Sequence, residues 1–263
     1  MMSHRVLAAL LVVLLASIFS GPVIHVCGAQ PAVEEVQLAE PFRAEYAGED
    51  ATGEHVVALW QFNKPEPAVD ASGNGHMLSL SGAEFVDGGR FGGALQSDRG
   101  WPVEDKAHQA RVKNDPKLTP AGAFTIEMWL KPADTLREYP EAFLVDKKYV
   151  DHNDYQITLS QEVAPDMRNV RATLGFGSES VTWQSDPAHL PPGQWRHIAF
   201  TYDAAGTGAF FVDGSPAGSQ LKTGFGRITP GRHGLVLGDR IGSYYHGFPG
   251  LMDQVRISMG ARE

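Results

Sequence analysis

The chain has 263 residues, of which 43% are hydrophobic and 20% are charged, an ordinary balance for a protein with an apolar core. The formal net charge of −9 argues against nucleic acid or an anionic membrane surface as a partner. A single cysteine excludes a disulfide framework within the chain.

The first 29 residues are typical of a signal peptide. Residues 1–5 carry positive charge, and the apolar run at 6–19 is shorter than the roughly 20 residues of a membrane-spanning helix. Small residues at 27–29 precede Gln30, which is the pattern that a signal peptidase recognises. We therefore predict export into the medium, the periplasm or to the cell surface, with no membrane span after cleavage. An uncleaved anchor is the alternative.

Residues 30–55 are predicted to form an acidic linker. The segment contains seven acids against one base, Arg43, and shows no clean periodicity. Low hydrophobicity with one sign of charge favours a solvated segment. We therefore expect the folded domain to begin at residue 56.

From residue 56 to residue 260 the chain consists of short β runs separated by turn residues. In the run FTIEMWLK at 124–131, the apolar residues 124, 126, 128 and 130 alternate with the others, as in a strand with one buried face. The apolar run at 210–212 leads into Asp213-Gly214, a strong hairpin signal. No segment in this range keeps a helical period, so the pattern predicts an all-β sandwich or barrel.

Seven short segments in a fixed order carry a resemblance to a known family. They are ALWQF (58–62), DASGNG (70–75), GGRFGGAL (88–95), FTIEMWLKP (124–132), GQWRHIAFTYD (193–203), FFVDGSPAG (210–218) and GLMDQVRIS (250–258). With these segments, residues 56–260 resemble the laminin-G-like or concanavalin A-like jelly-roll domains. The resemblance implies a two-sheet antiparallel β-sandwich but no single function, since relatives include carbohydrate-binding modules, adhesion domains and glycosidases.

The loop DASGNG at 70–75 places oxygen-bearing side chains at alternate positions, as a Ca²⁺-binding loop does. In the last run, strand parity places Asp253 among apolar residues, where a carboxylate is costly unless it is paired or bound to metal. The resemblance also implies an acid near a structural Ca²⁺ at this position. We predict a structural Ca²⁺ held by Asp70, Asn74 and Asp253, with Asn63 as a further ligand. An Asx-type turn in the loop and backbone hydrogen bonds to Asp253 are the alternatives.

Exposed aromatic rings would provide a platform for a sugar, because a flat apolar ring stacks on a pyranose face. The densest group lies in one loop, and two tryptophans elsewhere are further candidates. These predicted ligand-binding residues are Tyr244, Tyr245, His246, Trp101 and Trp183. The three remaining tryptophans, Trp60, Trp129 and Trp195, are assigned to the core.

Catalytic motifs are missing from the sequence. A retaining glycosidase needs two carboxylates about 5–5.5 Å apart, yet no ExDxxE run occurs and Glu127 stands alone in its strand. Neither a GxSxG nor an HExxH pattern occurs. We therefore predict a binding module for a carbohydrate or a glycoprotein rather than an enzyme. A glycosidase or lyase with dispersed acids and a purely structural module of a surface assembly are the alternatives.

Overall fold

The computed structural model describes residues 43–98, 107–242 and 247–261. Within these residues the only α-helix is α1 (Glu49–Thr52), and short 3-10 helices occur at Pro116–Leu118 and Asp134–Glu138. The strands, in chain order, are β1 (Val56–Trp60), β2 (Ser79–Ser81), β3 (Glu84–Asp87), β4 (Gly93–Gln96), β5 (Gln109–Val112), β6 (Phe124–Pro132), β7 (Ala142–Asp146), β8 (Tyr155–Ala164), β9 (Met167–Gly175), β10 (Ser180–His189), β11 (Arg196–Tyr202), β12 (Thr207–Val212), β13 (Ser215–Leu221), β14 (Leu235–Leu237) and β15 (Gly250–Met259). No described helix is long and apolar enough to cross a membrane.

The described strands form two antiparallel sheets. The first sheet has the order β13-β12-β11-β6-β15-β4-β3, with β1 also paired to β15, and the second has the order β10-β9-β8-β7-β14-β5-β2. Strands far apart in the chain, such as β6 and β15, are therefore neighbours in one sheet. This arrangement confirms the predicted all-β sandwich of the concanavalin A-like jelly-roll type.

The core lies between the two sheets and follows the predicted alternation. In β6, the side chains of Phe124, Ile126, Met128 and Leu130 are almost completely buried in one apolar cluster. Trp60 of β1 belongs to the same cluster, as predicted. The intervening residues of β6 occupy the opposite, outer face of the first sheet.

A β-bulge in β15 reverses the predicted orientation of Asp253. The register of β15 against β6 shifts between Asp253 and Arg256, and Gln254 has a φ of 49°. Because the bulge inserts one residue, Met252 and Val255 both join the core. Asp253 is therefore on the outer face, although its side chain is completely buried there.

The predicted linker is partly folded, so the domain begins before residue 56. Residues 43–55 include α1 and Tyr46, which is only 3% exposed and packs in a small apolar cluster with Leu59. The backbone N–H of Tyr46 donates to Oε1 of Gln254, and its ring lies 4.6 Å from the Arg256 guanidinium. The burial of a few apolar side chains thus keeps this segment folded despite its acidic composition. Residues 30–42 and the predicted signal peptide lie outside the described residues.

Candidate functional site

The Asp70 carboxylate is surrounded by protein donors. Oδ1 accepts from the backbone N–H groups of Leu59 and Ser72, both at 3.0 Å, and from the Ser72 hydroxyl at 2.6 Å. Oδ2 accepts from the backbone N–H of His76 and lies 3.1 Å from Nδ1 of that ring. Burial alone would raise the pKa of Asp70, but the hydrogen bonds from His76, Ser72 and Leu59 outweigh it and lower the pKa to about 2. This geometry matches the Asx-type turn that was the alternative to a metal loop.

The four predicted calcium ligands form two separate pairs. Asn74 uses its amide nitrogen to donate to the carbonyls of Val56 and Val57, which ties the Asp70 loop to β1. Asp253 and Asn63 instead contact the loop between β3 and β4. A single ion site made by all four residues is therefore a wrong prediction, because Asp70 and Asn74 hold a turn against the middle of β1.

The second pair flanks the glycine-rich loop at 88–92. Asp253 Oδ2 accepts from the backbone N–H of Phe91 at 2.9 Å, and Asn63 Oδ1 accepts from that of Gly93 at 2.8 Å. A Cβ on Gly89 would lie 2.9 Å from Asp253 Oδ2, so the loop approaches this carboxylate closely. Burial raises the pKa of Asp253 to about 6. No group of three or more His, Cys, Asp or Glu side chains with metal-binding geometry occurs within the described parts of the chain.

The predicted aromatic platform is mostly outside the described residues, where Tyr244, Tyr245, His246 and Trp101 lie. Trp183 is described and is completely buried in the core between the sheets. Its Nε1 donates to the carbonyls of Gly206 and Gln220. The ring of Trp183 is therefore inaccessible to a sugar, and this prediction is wrong because the side chain points inward from β10.

A groove crosses the outer face of the second sheet, and we call it the polar groove. Its volume is about 470 Å³. The side chains that line it share a polar or charged end group and come mainly from β8, β9 and β10. They are Glu141, Gln156, Thr158, Arg171, Thr173, Thr182, Gln184, Gln220 and Lys222.

Strand register arranges six of these side chains in two rows. Thr173 pairs with Gln156 on one side and with Thr182 on the other. Arg171 pairs in the same way with Thr158 and Gln184, which gives the second row. Since adjacent strands lie about 4.8 Å apart, the rows form a regular array of hydrogen-bonding groups.

Hydrogen bonds within the rows orient the side chains. Arg171 Nε donates to Gln184 Oε1 at 2.9 Å, and the hydroxyls of Thr173 and Thr182 are 2.8 Å apart. The terminal amino groups of Arg171 have no further partner within the described residues. Aromatic residues in the sequence do not reveal this site, because its lining contains none. The alternation QIT at 156–158 and RAT at 171–173, with polar residues two apart, was the available signal.

A second cleft, the tryptophan cleft, lies on the outer side of the first sheet. It has a volume of about 380 Å³ and is lined by Arg43, Arg90, Trp129, Trp195 and Asp213. Trp129 is buried, as assigned, but on this outer side rather than between the sheets. Trp195 is only half-buried, so its assignment to the core is wrong. Trp129 alternates with the inward residues of β6, and Trp195 directly precedes β11.

Glu127, the acid that stands alone in its strand, is buried on the same outer face of the first sheet. Its carboxylate lies 3.3 Å from His197 Nε2 and 3.5 Å from Arg256 Nε. All three side chains are completely buried. This cluster therefore links β6, β11 and β15 and is inaccessible to a polysaccharide.

The described fold is similar to several solved binding domains. The binding domain of Paraclostridial Mosquitocidal Protein 1 has a TM-score of 0.62 and 18% identity, over 80% of this chain and 50% of that one. Domain 4 of AbnA, a GH43 extracellular arabinanase from Geobacillus stearothermophilus solved with arabinotriose, has a TM-score of 0.56 and 21% identity, over 80% and 94%. The receptor binding domain of botulinum neurotoxin C/D mosaic serotype has a TM-score of 0.59 and 10% identity, over 80% and 49%. The chain thus spans about half the length of both toxin domains.

These identities are low enough that the structural likeness shows the fold alone. No curated protein matches the sequence. A family model described as the concanavalin A-like lectin/glucanases superfamily, however, matches residues 105–263, more than half of the chain. The motifs resembling laminin-G-like domains and the two-sheet fold agree with this match, and the chain therefore belongs to the concanavalin A-like lectin/glucanases superfamily.

Proposed function

We propose that this protein is an exported module that binds a carbohydrate chain, free or on a glycoprotein, in the polar groove. The observation that carries the proposal is the pair of in-register rows of polar side chains on β8, β9 and β10. Gln156, Thr173 and Thr182 form one row, and the other contains Arg171. Hydrogen bonds hold the end groups of these rows in place, so little side-chain entropy would be lost when a ligand binds.

The chemistry of the groove suits sugar hydroxyls. Each hydroxyl both donates and accepts, and the groove combines threonine hydroxyls and glutamine amides with one guanidinium, the Glu141 carboxylate and the Lys222 ammonium group. Its volume of about 470 Å³ is within the usual range for small-ligand sites. Gln156 is less than a tenth exposed, and its amide nitrogen already donates to Asp146 Oδ1 and to the Tyr149 carbonyl. Contacts to a ligand would therefore come mainly from the more exposed Arg171, Thr182 and Gln184.

The structural likenesses support a binding role. One similar solved domain contains arabinotriose, and two similar solved toxin domains are binding domains. Fold alone does not transfer a ligand, so arabinan is one probe among several. The acidic surface of the chain also fits a neutral glycan better than a strongly anionic polymer.

The experiment is a glycan array followed by calorimetric titration of the best neutral oligosaccharide. Arg171→Ala and Gln184→Ala should each weaken binding about five- to thirtyfold, because each removes hydrogen bonds worth about 1–2 kcal/mol. The matched control is Arg111→Ala, an exposed arginine on the outer face of β5, four strand positions from β9. Unchanged affinity in the Arg171 and Gln184 variants would show that the groove is not the site.

We also propose a structural Ca²⁺ at the loop between β3 and β4. Its donors would be Asp253, Asn63 and carbonyl groups of the loop, with Glu45, which accepts from Asn63 Nδ2, beside them. Carboxylate, amide and carbonyl oxygens are the donors that Ca²⁺ prefers. The buried carboxylate of Asp253 accepts from the backbone N–H groups of Phe91 and Gln254, and a cation beside it would stabilise its charge further.

Thermal melts in millimolar Ca²⁺ and in EDTA test the ion site. If Ca²⁺ binds the folded chain but not the unfolded chain, added Ca²⁺ should raise the melting temperature, and Asp253→Asn should abolish that rise. Asp70→Asn is the control, because its carboxylate is held by protein donors, and it should keep the rise. A melting temperature that is indifferent to both Ca²⁺ and chelator would refute the ion site.

A further inference from the structure

The tryptophan cleft combines indole rings with positive charge in a chain that is acidic overall. Its lining contains Trp129 and Trp195 with two guanidinium groups, Arg43 and Arg90, against one carboxylate, Asp213. That carboxylate is already neutralised, because Oδ2 lies 2.7 Å from Nη1 of Arg196. The guanidinium of Arg90 therefore gives this wall of the cleft a positive charge, whereas the chain as a whole has a net charge of −9.

Arg90 is held in a fixed position on the wall of the cleft. Its guanidinium lies 4.9 Å from the centre of the Trp129 ring and 5.0 Å from that of Phe91. The loop that carries Arg90 is fixed by the hydrogen bond from the Phe91 N–H to Asp253. A planar guanidinium that is stacked on aromatic rings keeps its N–H edges available to a carboxylate and loses little entropy on binding.

The remaining groups of the cleft are equally constrained. Asp213 Oδ1 accepts from the backbone N–H of His197 at 2.9 Å, and the hairpin turn at Asp213 sets its direction. Trp129 is 6% exposed, and its Nε1 has no acceptor within the described residues. The indole of Trp129 therefore acts as a fixed apolar wall against which the Arg90 guanidinium is held. Trp195 is half-buried and leaves part of its ring accessible.

We propose that the tryptophan cleft is a second binding site, specific for an acidic sugar residue such as a uronic acid. The sugar ring would stack on Trp195, its carboxylate would pair with Arg90, and a hydroxyl would donate to Asp213. The volume of about 380 Å³ suits a ligand of this size. This site is independent of the polar groove, since the two lie on the outer faces of different sheets.

The test compares two probes of equal length, a trimer of galacturonic acid and a trimer of galactose, by calorimetry and tryptophan fluorescence. The acidic trimer should bind at least about tenfold more tightly, and added salt should weaken its binding because the ion pair is partly exposed. Arg90→Gln should remove that preference, and Arg90→Lys should restore part of it. Trp195→Ala should lower the affinity and Trp195→Phe should retain most of it, which separates lost stacking from misfolding.

Two controls separate this site from the polar groove. Arg111→Gln removes an exposed arginine of the other sheet and should leave the acidic trimer bound. Arg171→Ala should weaken the groove ligand and leave the acidic trimer unaffected. Equal binding of the two trimers, no binding of the acidic trimer, or binding that depends on Arg171 rather than Arg90 would each overturn the proposal.

Discussion

Asp70→Asn tests most directly whether hydrogen bonds to the Asp70 carboxylate hold the loop at 70–75. The carboxylate is 3% exposed and accepts hydrogen bonds from Leu59, Ser72 and His76. Asparagine has nearly the same shape but replaces one of the two oxygens by an amino group. That group would face an N–H or O–H donor, so at least one buried donor would lose its acceptor.

The expected loss of stability can be worked out in two ways from the same hydrogen bonds. The lowering of the pKa of Asp70 from 3.8 to about 2 corresponds, at roughly 1.4 kcal/mol per unit, to about 2.5 kcal/mol of preference for the ionised side chain. Counted from the donor side, a buried donor left without an acceptor costs about 1–3 kcal/mol. Because both figures describe the same interactions they are not added, and we expect a loss of about 2–3 kcal/mol, a large part of the 5–15 kcal/mol that is usual for a domain.

Urea denaturation at neutral pH, followed by tryptophan fluorescence, measures this loss. The midpoint should fall at an unchanged slope, equally in Ca²⁺ and in EDTA, because no ion takes part. Ser72→Ala is a milder variant that should lose about 1 kcal/mol if Asp70→Asn does not fold. A loss below about 1 kcal/mol for Asp70→Asn, or a loss that appears only with Ca²⁺, would refute the assignment of this loop as a hydrogen-bonded turn.

Three further predictions concern pH, export and catalysis. The hydrogen bond to Asp70 raises the pKa of His76 above its ordinary value of 6.5. The stabilisation by the protonated ring should therefore be complete below about pH 6.5 and be lost as the pH rises through the folded-state pKa. The urea midpoint should fall over this pH range, and His76→Gln should remove that pH dependence. Intact mass of the exported protein should begin at Gln30 and contain no cysteine, whereas a membrane-bound species that keeps residues 1–29 would contradict cleavage. Incubation with common polysaccharides should release no reducing ends, and turnover that disappears on substituting one Asp or Glu would show an enzyme.

The sequence predicted the sandwich because strand alternation survives wherever the backbone is regular. In β6, every second side chain from Phe124 to Leu130 joins the core between the sheets as expected, although the alternate side chains are also buried, on the outer face. The predicted Asp213-Gly214 hairpin is also confirmed, with φ values of 49° and 77° and β12 paired to β13. Both features depend on residues adjacent in sequence, so a local pattern is enough to identify them.

Features that depend on distant or irregular backbone were not predictable in the same way. The bulge at Gln254 has no glycine or proline to mark it, and one inserted residue placed Asp253 on the opposite face. Tyr46 contacts Leu59 of β1 and Gln254 of β15, so its burial depends on the pairing of two strands that are far apart in the sequence. The rows of the polar groove are likewise a property of register between strands. For these reasons composition and motifs located the fold but not the surfaces that could bind a ligand.

The segment at 43–55 determines which part of the first sheet a ligand can reach. On this outer face, Arg256 is completely buried and donates to the backbone carbonyl of Asp50, next to α1. The buried Glu127, which contacts Arg256, belongs to the same covered region. The tryptophan cleft, whose lining includes Arg43 from the same segment, is one part of this face that stays accessible. The polar groove has no such cover among the described residues. The two sheets also present different chemistry, because hydroxyl and amide rows line the groove on one sheet and indole with guanidinium lines the cleft on the other.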